Sequence, residues 1–174
     1  SSGYDLTSGD ANILIGRDAG ANITEGAGNV AIGYQALDAA NGTSSAAESY
    51  NIAIGSSALS AETSGAVGCV AIGYQALQDQ DQVDSNNTAV GYQAALNLDG
   101  GTDSVYVGWK AGGVGVITGD NNVVIGKDAA KNATGMNHSV VIGKGANDTG
   151  VNVAADNVLI GIAAGQDISS GASN

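Results

Sequence analysis

The chain has 174 residues, a formal net charge of −12 at pH 7, 28 Gly residues, and neither Pro nor Phe. Its five Lys and Arg residues are spread along the sequence, so we expect no basic patch and exclude nucleic acid and anionic membrane surfaces as partners. No apolar run approaches the roughly 20 residues of a membrane-spanning helix, which excludes membrane insertion, and a single cysteine excludes an intrachain disulfide framework.

One short pattern occurs nine times along the chain. It consists of a small polar residue, three mostly apolar residues and Gly-x-x-Ala, and residues 29–37 give a clear copy, NVAIGYQAL. We number positions in each repeat from its glycine, which is position 0. These repeat glycines are Gly16, Gly33, Gly55, Gly73, Gly91, Gly108, Gly126, Gly143 and Gly161.

The spacing of the repeat glycines predicts the fold. Successive glycines are 17 or 18 residues apart, with a single gap of 22 residues after Gly33. This period is too short for a helical repeat or a propeller blade, but it fits one coil of a solenoid whose repeats pack only on their neighbours. We therefore predict an all-β fold, a β-solenoid or parallel β-roll of about nine coils. The repeats cover residues 12–168, after a lead-in at 1–11 and before a tail at 169–174.

Three apolar residues precede each repeat glycine and predict a short strand in every coil. Positions −3 and −1 point to the same face of a strand and are Ile or Val, except for Thr88, so we expect them to form the inner column of the solenoid. Position −2 points the other way and is also apolar, so this column needs cover from another chain. It is our predicted oligomer interface: Leu14, Ala31, Ala53, Ala71, Ala89, Tyr106, Val124, Val141 and Leu159.

Two further columns flank the predicted strand. Position +3 is Ala in all nine repeats, which indicates a tightly packed corner. Position −4 is usually Asn, with Cys69, Ser104 and Ser139 as the exceptions. Stacked Asn side chains can form hydrogen bonds along a column, although Asn is also a common turn residue, and both interpretations stay open.

The sequence offers little for catalysis. Cys69 and His138 are the only residues of their types, and Cys69 occupies a repeat position that suits a small packed side chain. The carboxylates are scattered through loops, so we expect neither an enzyme nor a cofactor. Asp79, Asp81 and Asp84 form a weak candidate for a cation site, and a plain acidic surface loop is the alternative.

Position +1 carries four of the seven aromatic residues of the chain: Tyr34, Tyr74, Tyr92 and Trp109. Stacked coils would align them in a stripe along the rod. Such a stripe is a candidate platform for sugar rings. The alternative is that the rings stack on one another and cover a corner or a seam between chains.

Repeats such as NVAIGYQAL at 29–37 resemble those of phage tail-fibre-like proteins and are similar to the VAIG repeats in the heads of trimeric autotransporter adhesins. This resemblance covers about residues 12–165. It implies a homotrimer of β-solenoid chains on a virion tail fibre, outside the cell or at the cell surface, with a glycan or protein receptor as a further partner.

Three functional hypotheses follow. The first is a structural segment of a fibre that contacts a host-cell surface. The second is a bacterial adhesin head that binds glycan or matrix protein. The third is an ice-binding solenoid, which would need a flat array of Thr in register; Thr24, Thr63 and Thr134 share position +8, but the repeats between them break the array.

Overall fold

Nine short strands, one from each repeat, form a single parallel sheet. The structure, a computed structural model, describes residues 1–3, 8–38, 49–61, 66–80, 85–148, 155–166 and 168. The strands are β1 (Ile13–Ile15), β2 (Val30–Ile32), β3 (Ile52–Ile54), β4 (Val70–Ile72), β5 (Thr88–Val90), β6 (Val105–Val107), β7 (Val123–Ile125), β8 (Val140–Ile142) and β9 (Val158–Ile160).

Each strand pairs in parallel with the strand of the next repeat, in the order β1 to β9. The register keeps equivalent repeat positions together, so that Val30 pairs with Ile52 and Ala31 with Ala53. This confirms the predicted all-β solenoid. In the described part of the chain, there is no helix with the length and apolar character needed to cross a membrane.

The segment before the first repeat docks onto it. The Gly3 amide donates a 2.9 Å hydrogen bond to the Ala19 carbonyl, and the Ser8 amide donates one of 3.0 Å to the Thr24 carbonyl. Residues 4–7 of the predicted lead-in and the predicted tail at 169–174 lie outside the described residues.

Left-handed backbone at fixed positions bends the chain in every repeat. In the fourth repeat, φ is 68° at Gly68 (position −5), 54° at Gln75 (+2) and 49° at Leu77 (+4). All nine repeats have positive φ at these three positions. Such a conformation costs about 1–3 kcal/mol at most residue types, so it persists only because stacking on adjacent repeats stabilises it.

The repeat glycines form a column in which backbone lies directly on backbone. A Cβ atom at Gly33 would lie 2.6 Å from the Gly55 carbonyl oxygen, closer than any real contact of a Cβ atom. At Gly161, in the last repeat, the nearest atom would be the Ala164 Cβ, at 3.9 Å. Stacking on the next repeat, as well as the positive φ, therefore requires glycine at position 0.

The inner face of the sheet is the opposite of the one predicted from sequence. Position −2 lies in the chain's own core: Ala31, Ala53, Ala71, Ala89, Tyr106, Val124 and Val141 are fully buried within one chain, Leu159 is nearly so, and Leu14, in the first repeat, is half-buried against the core. The prediction that this column is an oligomer interface is wrong, because another chain cannot reach side chains that a single chain already encloses.

Positions −3 and −1 face outward instead. Ile13, Ile15, Val158 and Ile160, at the two ends of the sheet, are 51–65% exposed, and Ile72 in the middle is 36% exposed. Both faces of the strand are apolar, so alternation alone could not show which of them is inward. The interior side chain at −2 shares its space with position +4, so that the small Ala31 lies beside Leu37 and the large Tyr106 beside Gly112.

The corner after the glycine supplies a second column of the core, and Ile23, Leu98, Ile117 and Met136 further along the repeats are also buried. Ala at position +3 is fully buried in the first eight repeats, which confirms the predicted tight corner. Leu37, Leu59 and Leu77 at position +4 are also fully buried and fill the space beside the Ala residues at −2.

The residues at position −4 form the hydrogen-bonded ladder that was one of the two open interpretations. The Asn29 Oδ1 accepts a 3.0 Å hydrogen bond from the Asn51 amide, and the Asn51 Oδ1 accepts one of 2.9 Å from the Cys69 amide. The Asn51 Nδ2 also donates to the Ala66 carbonyl of the next repeat, at 2.7 Å. Asn51 therefore holds the backbone of the following repeat at two points.

Candidate functional site

The outer face of the sheet is an apolar strip, which we define as positions −3 and −1 of the nine repeats. Its 18 side chains are Val and Ile, apart from Thr88, and none carries a charge. Eight inter-strand spacings of about 4.8 Å make the strip about 38 Å long and about 10 Å wide, or about 400 Å². The largest apolar patch on a monomeric soluble protein typically covers about 300–600 Å² and is often functional, so the strip is a candidate interaction site.

Position +1 borders the strip on one side and carries the predicted aromatic stripe. The ring centroids of Tyr74 and Tyr92 are 5.3 Å apart with an interplanar angle of 18°, and those of Tyr92 and Trp109 are 6.0 Å apart with an angle of 11°. Three of the four predicted stripe residues therefore form one continuous stack. Ser56 separates Tyr34 from this stack.

The stacked geometry bears on the sugar-platform hypothesis. Each Tyr92 face is covered by a neighbouring ring, while the Lys110 and Lys127 Nζ atoms lie 4.6 and 4.7 Å from the Trp109 ring centroid. Stacking on a sugar needs an open ring face. The geometry therefore favours the alternative, in which the aromatic rings cover a corner of the rod.

Tyr34 has a different partner. The Arg17 guanidinium lies 4.6 Å from the Tyr34 ring centroid and donates a 3.0 Å hydrogen bond to its hydroxyl. This hydrogen bond raises the pKa of Arg17 further above its ordinary value. Arg17 also forms a 3.2 Å ion pair with Asp18, so its charge is partly balanced on the same corner.

The repeat period brings together basic residues that are far apart in sequence. Arg17, Lys127 and Lys144 occupy position +1, Lys110 position +2 and Lys131 position +5, so all five lie on one corner. Lys127 and Lys131 share Asp128, with Nζ–carboxylate distances of 2.9 and 3.8 Å. Along the rod, Arg17 is in the first repeat and the four Lys residues are in repeats six to eight. We call positions +1 and +2 the cation edge of the strip.

Positions −5 and −6 border the strip on its other side, and we call them the acid edge. They carry Asp10, Asp103, Asp120 and Asp156, with neither Lys nor Arg in any repeat. Their one basic candidate is His138, whose Nδ1 lies 3.5 Å from the Asp156 carboxylate. The apolar strip therefore separates two edges of opposite charge, a feature that the residue-by-residue sequence analysis missed although the period contained it.

The candidate cation loop is described only in part. Asp79 lines an open groove of about 350 Å³ with Asn97, Asp99 and Val116, and partial burial raises its pKa. Asp81 and Asp84 lie outside the described residues. Among the residues that are described, no three His, Cys, Asp or Glu side chains come together as a metal ion would require.

Cys69 lies inside the rod in a polar cluster. Its Sγ is 3.2 Å from the Ser85 Oγ and 3.4 Å from the Gln80 Nε2, and all three side chains are fully buried. Burial away from solvent fits the small packed side chain expected at this position rather than a nucleophile.

The described members of the position +8 column do not form a Thr array. Thr24 and Thr134 belong to the first and seventh repeats, and Asp99 and Val116 occupy the same position in the fifth and sixth. Thr63 lies outside the described residues.

No family model, curated protein or solved structure matches this chain. The geometry of the strip and its two edges is therefore the basis for a functional assignment.

Proposed function

We propose that this chain is a structural segment of a fibre in which several copies associate through the apolar strip. The observation that supports it is the strip itself, an uncharged array of Val and Ile with one Thr, which extends over all nine strands and which the described residues leave exposed or half-buried. The chain has a net charge of −12, yet none of its charged residues lies on this face.

A second copy of the same chain suits the strip better than an unrelated partner. Rows of side chains on the strip repeat at the strand spacing of about 4.8 Å. Another copy presents rows at the same spacing and over the same length, so its side chains can fit between these rows along the whole strip. The small width of the strip also fits several narrow faces that meet along a common axis.

The number of copies and the setting come from the resemblance of the repeats. The NVAIGYQAL type of repeat resembles those of trimeric fibres, which supports three copies and a place on a virion tail fibre or outside the cell. An adhesin head that binds glycan or matrix protein is the second candidate, and the exposed corner at Tyr74 and Trp109 is what favours it. Either function uses the same rod.

The native mass in solution tests the proposal. We expect light scattering to give a multiple of the 16.9 kDa chain mass, with three copies as the expected number. Ile72→Asp should reduce the mass to that of one chain and preserve the far-UV β signal, because Ile72 is exposed in the single chain and its carboxylate would be buried only in the assembly.

Two variants complete this experiment. Val114→Asp is the matched control: Val114 is also an exposed apolar residue but lies outside the strip, so the mass should not change. Ala71→Asp should unfold the chain, because Ala71 is fully buried. A wild-type chain that is monomeric at all concentrations, or an Ile72→Asp oligomer of unchanged mass, would exclude the strip as the interface.

A further inference from the structure

The two edges of the apolar strip are unlike in charge and do not meet within one chain. The cation edge carries Arg17, Lys110, Lys127 and Lys144 against two carboxylates, Asp18 and Asp128, whereas the acid edge carries four carboxylates and no Lys or Arg. In the described residues, the ion pairs of the cation-edge side chains are all made with Asp18 and Asp128, on the same corner. Within a chain, the acid edge gains nothing from these cations.

The strip alone is too small for a stable interface of ordinary size. Its area of about 400 Å² is half of the roughly 800 Å² that each partner buries in a standard interface. Chains that cover the strip must therefore also bury what lies beside it, and the two edges are the neighbouring surfaces.

Symmetry determines which edges meet. When copies are related by rotation about an axis parallel to the rod, the cation edge of one copy lies against the acid edge of the next, with equivalent repeats at the same height. A two-fold axis perpendicular to the rod places each edge against its own kind, with the first repeat opposite the ninth. Opposite charges meet only in the parallel arrangement.

The distribution of charge along the rod agrees with the parallel arrangement. In the first repeat, Arg17 is on the cation edge and Asp10 on the acid edge; in the seventh, Lys127 and Asp120 occupy these places. Repeats two to five have no charged residue on either edge. In the eighth and ninth repeats, Lys144 and Asp156 lie one strand spacing apart, within reach of a lysine side chain.

The sizes of the side chains in the neutral repeats also correspond. Tyr50 occupies the acid edge in the third repeat, where the cation edge has Ser56, whereas Gly28 and Gly68 occupy it where the cation edge has Tyr34 and Tyr74. The small residue opposite Tyr34 has a cause within the chain, since a Cβ at Gly28 would lie 2.9 Å from the Tyr50 ring. At Gly68, a Cβ would lie 2.7 Å from the Asn86 Oδ1, so the small residue opposite Tyr74 also has a cause within the chain.

From these observations we infer that the copies associate in parallel and in register, with the cation edge of each chain against the acid edge of the next. The partner is a second copy of this chain, and the inference rests on the proposed self-association through the strip. The strip supplies the affinity, while the edges select the parallel over the antiparallel arrangement, because opposite charges face each other at equivalent repeats only in the former.

Charge reversal on each edge tests the inference. The first variant combines Arg17→Glu, Lys110→Glu and Lys144→Glu; the second combines Asp10→Lys, Asp103→Lys and Asp156→Lys. Asp120 and Lys127, which occupy the two edges of the same repeat, are left unchanged. The Asp120 carboxylate accepts partly buried hydrogen bonds from the Thr102 amide and hydroxyl, whereas those that the Asp103 carboxylate accepts from Asn86 and Thr102 are exposed. We expect each variant to weaken association at least tenfold by light scattering, and the six-fold combination to restore it.

The second variant separates the edges from an effect of net charge. It brings the chain from −12 to −6, which by itself would reduce repulsion between copies and strengthen association. Glu25→Lys, Asp79→Lys and Asp99→Lys together make the same change in net charge at exposed residues outside the edges, so this control should associate at least as well as the wild type.

Cross-linking reads the orientation directly. In a Cys69→Ser background, Ile13→Cys copies should be joined by a short bis-maleimide linker, because a parallel assembly brings these residues together. An antiparallel assembly separates them by about 38 Å. A monomeric wild type overturns the proposed function and this inference together. An oligomer without Ile13→Cys cross-links, or one that is unaffected by either charge reversal, overturns this inference alone.

Discussion

The Tyr106 ring occupies space inside the rod that is open because residue 112 is glycine. A Cβ atom at Gly112 would lie 2.6 Å from the Tyr106 Cδ1. The same pairing of positions −2 and +4 recurs where Leu14 lies against Gly20 and Leu159 against Gly165, with corresponding distances of 2.8 and 2.6 Å. In the repeats of Ala31, Ala53 and Ala71, position +4 is the fully buried Leu37, Leu59 or Leu77, whereas the fifth repeat has Ala at both positions, Ala89 and Ala95. The two positions therefore share one volume of the core.

This shared volume predicts that a larger side chain in place of Ala71 is tolerated when Leu77 is replaced by a smaller residue. Ala71→Leu alone should overpack the core, and Leu77→Gly alone should leave a cavity, each at a cost of about 2–4 kcal/mol in the free energy of unfolding. The double variant reproduces the arrangement of Leu14 and Gly20, so it should lose no more than about 1 kcal/mol relative to wild type. Denaturant unfolding of the four proteins measures the coupling. Additive losses in the double variant would contradict a shared volume.

The glycine column predicts a difference between two identical substitutions. Gly33→Ala and Gly161→Ala introduce the same strain at φ values of 138° and 134°, but only at residue 33 does the new Cβ meet the backbone of the next repeat. We expect Gly33→Ala to lower the melting temperature much more than Gly161→Ala, by the equivalent of at least about 2 kcal/mol. Equal effects on melting would mean that the conformation alone requires these glycines.

The period of the repeats was sufficient to predict the solenoid, its parallel register and the tight corner at position +3. The direction of the strand faces was not predictable in the same way, because Val, Ala and Ile at residues 30–32 are all apolar and alternation distinguishes only polar from apolar faces. The strand by itself does not show that position −2 shares the interior with position +4 from another wall of the rod, as Ala31 does with Leu37 and Tyr106 with Gly112. A comparison of positions −2 and +4 across repeats would have revealed it.

The aromatic column was predictable as a column but not as a site. Its position followed from the period, whereas the contact of Trp109 with Lys110 and Lys127 depends on side-chain directions that spacing does not fix. The charged edges, in contrast, could be predicted from the sequence once the outer face of the sheet was known. Lys127 and Asp120 could be placed on either side of the strip from the sequence alone, once the strip was known to face outward.

The ladder at position −4 predicts a large effect for one buried amide. The Asn122 Oδ1 accepts a 3.0 Å hydrogen bond from the Ser139 amide, and its Nδ2 donates to the Gly119 and Met136 carbonyls, each at 2.9 Å. Asn122→Ala leaves these buried backbone groups without a partner and should cost about 3 kcal/mol.

Asn97→Ala is the matched control for the ladder. The Asn97 Nδ2 also donates to a backbone carbonyl, that of Val114 at 3.1 Å, but water can replace this exposed hydrogen bond. Its loss should cost less than about 1 kcal/mol in thermal or denaturant unfolding. If both variants lost the same stability, the ladder would contribute no more than a surface hydrogen bond.

The partial burial of Asp79 in its groove predicts that removing the charge of this side chain stabilises the chain at neutral pH. Partial burial raises the pKa of Asp79 in the folded chain above its ordinary value of 3.8, so the folded state binds the proton more tightly than the unfolded state. Its contribution therefore becomes unfavourable as the pH rises from below 3.8 through the raised value.

Asp79→Asn should consequently raise the free energy of unfolding at pH 7, by less than about 1 kcal/mol because the carboxyl is largely exposed. At a pH below both values, the two proteins should unfold at the same denaturant concentration. A gain of equal size at low and neutral pH would show that ionisation of Asp79 is not its cause.

The central ring of the aromatic stack distinguishes a structural column from a sugar platform. Tyr92 stacks on Tyr74 on one side and on Trp109 on the other, so Tyr92→Ala removes two ring contacts and should cost about 1–3 kcal/mol in the free energy of unfolding. Tyr34→Ala is the control, because Tyr34 contacts Arg17 rather than another ring and its loss should cost less than half as much. Both proteins should give the same signal as wild type on a glycan array. Unchanged melting of Tyr92→Ala together with loss of a wild-type glycan signal would instead establish the rings as a platform, since only ligand contact would then explain the stack.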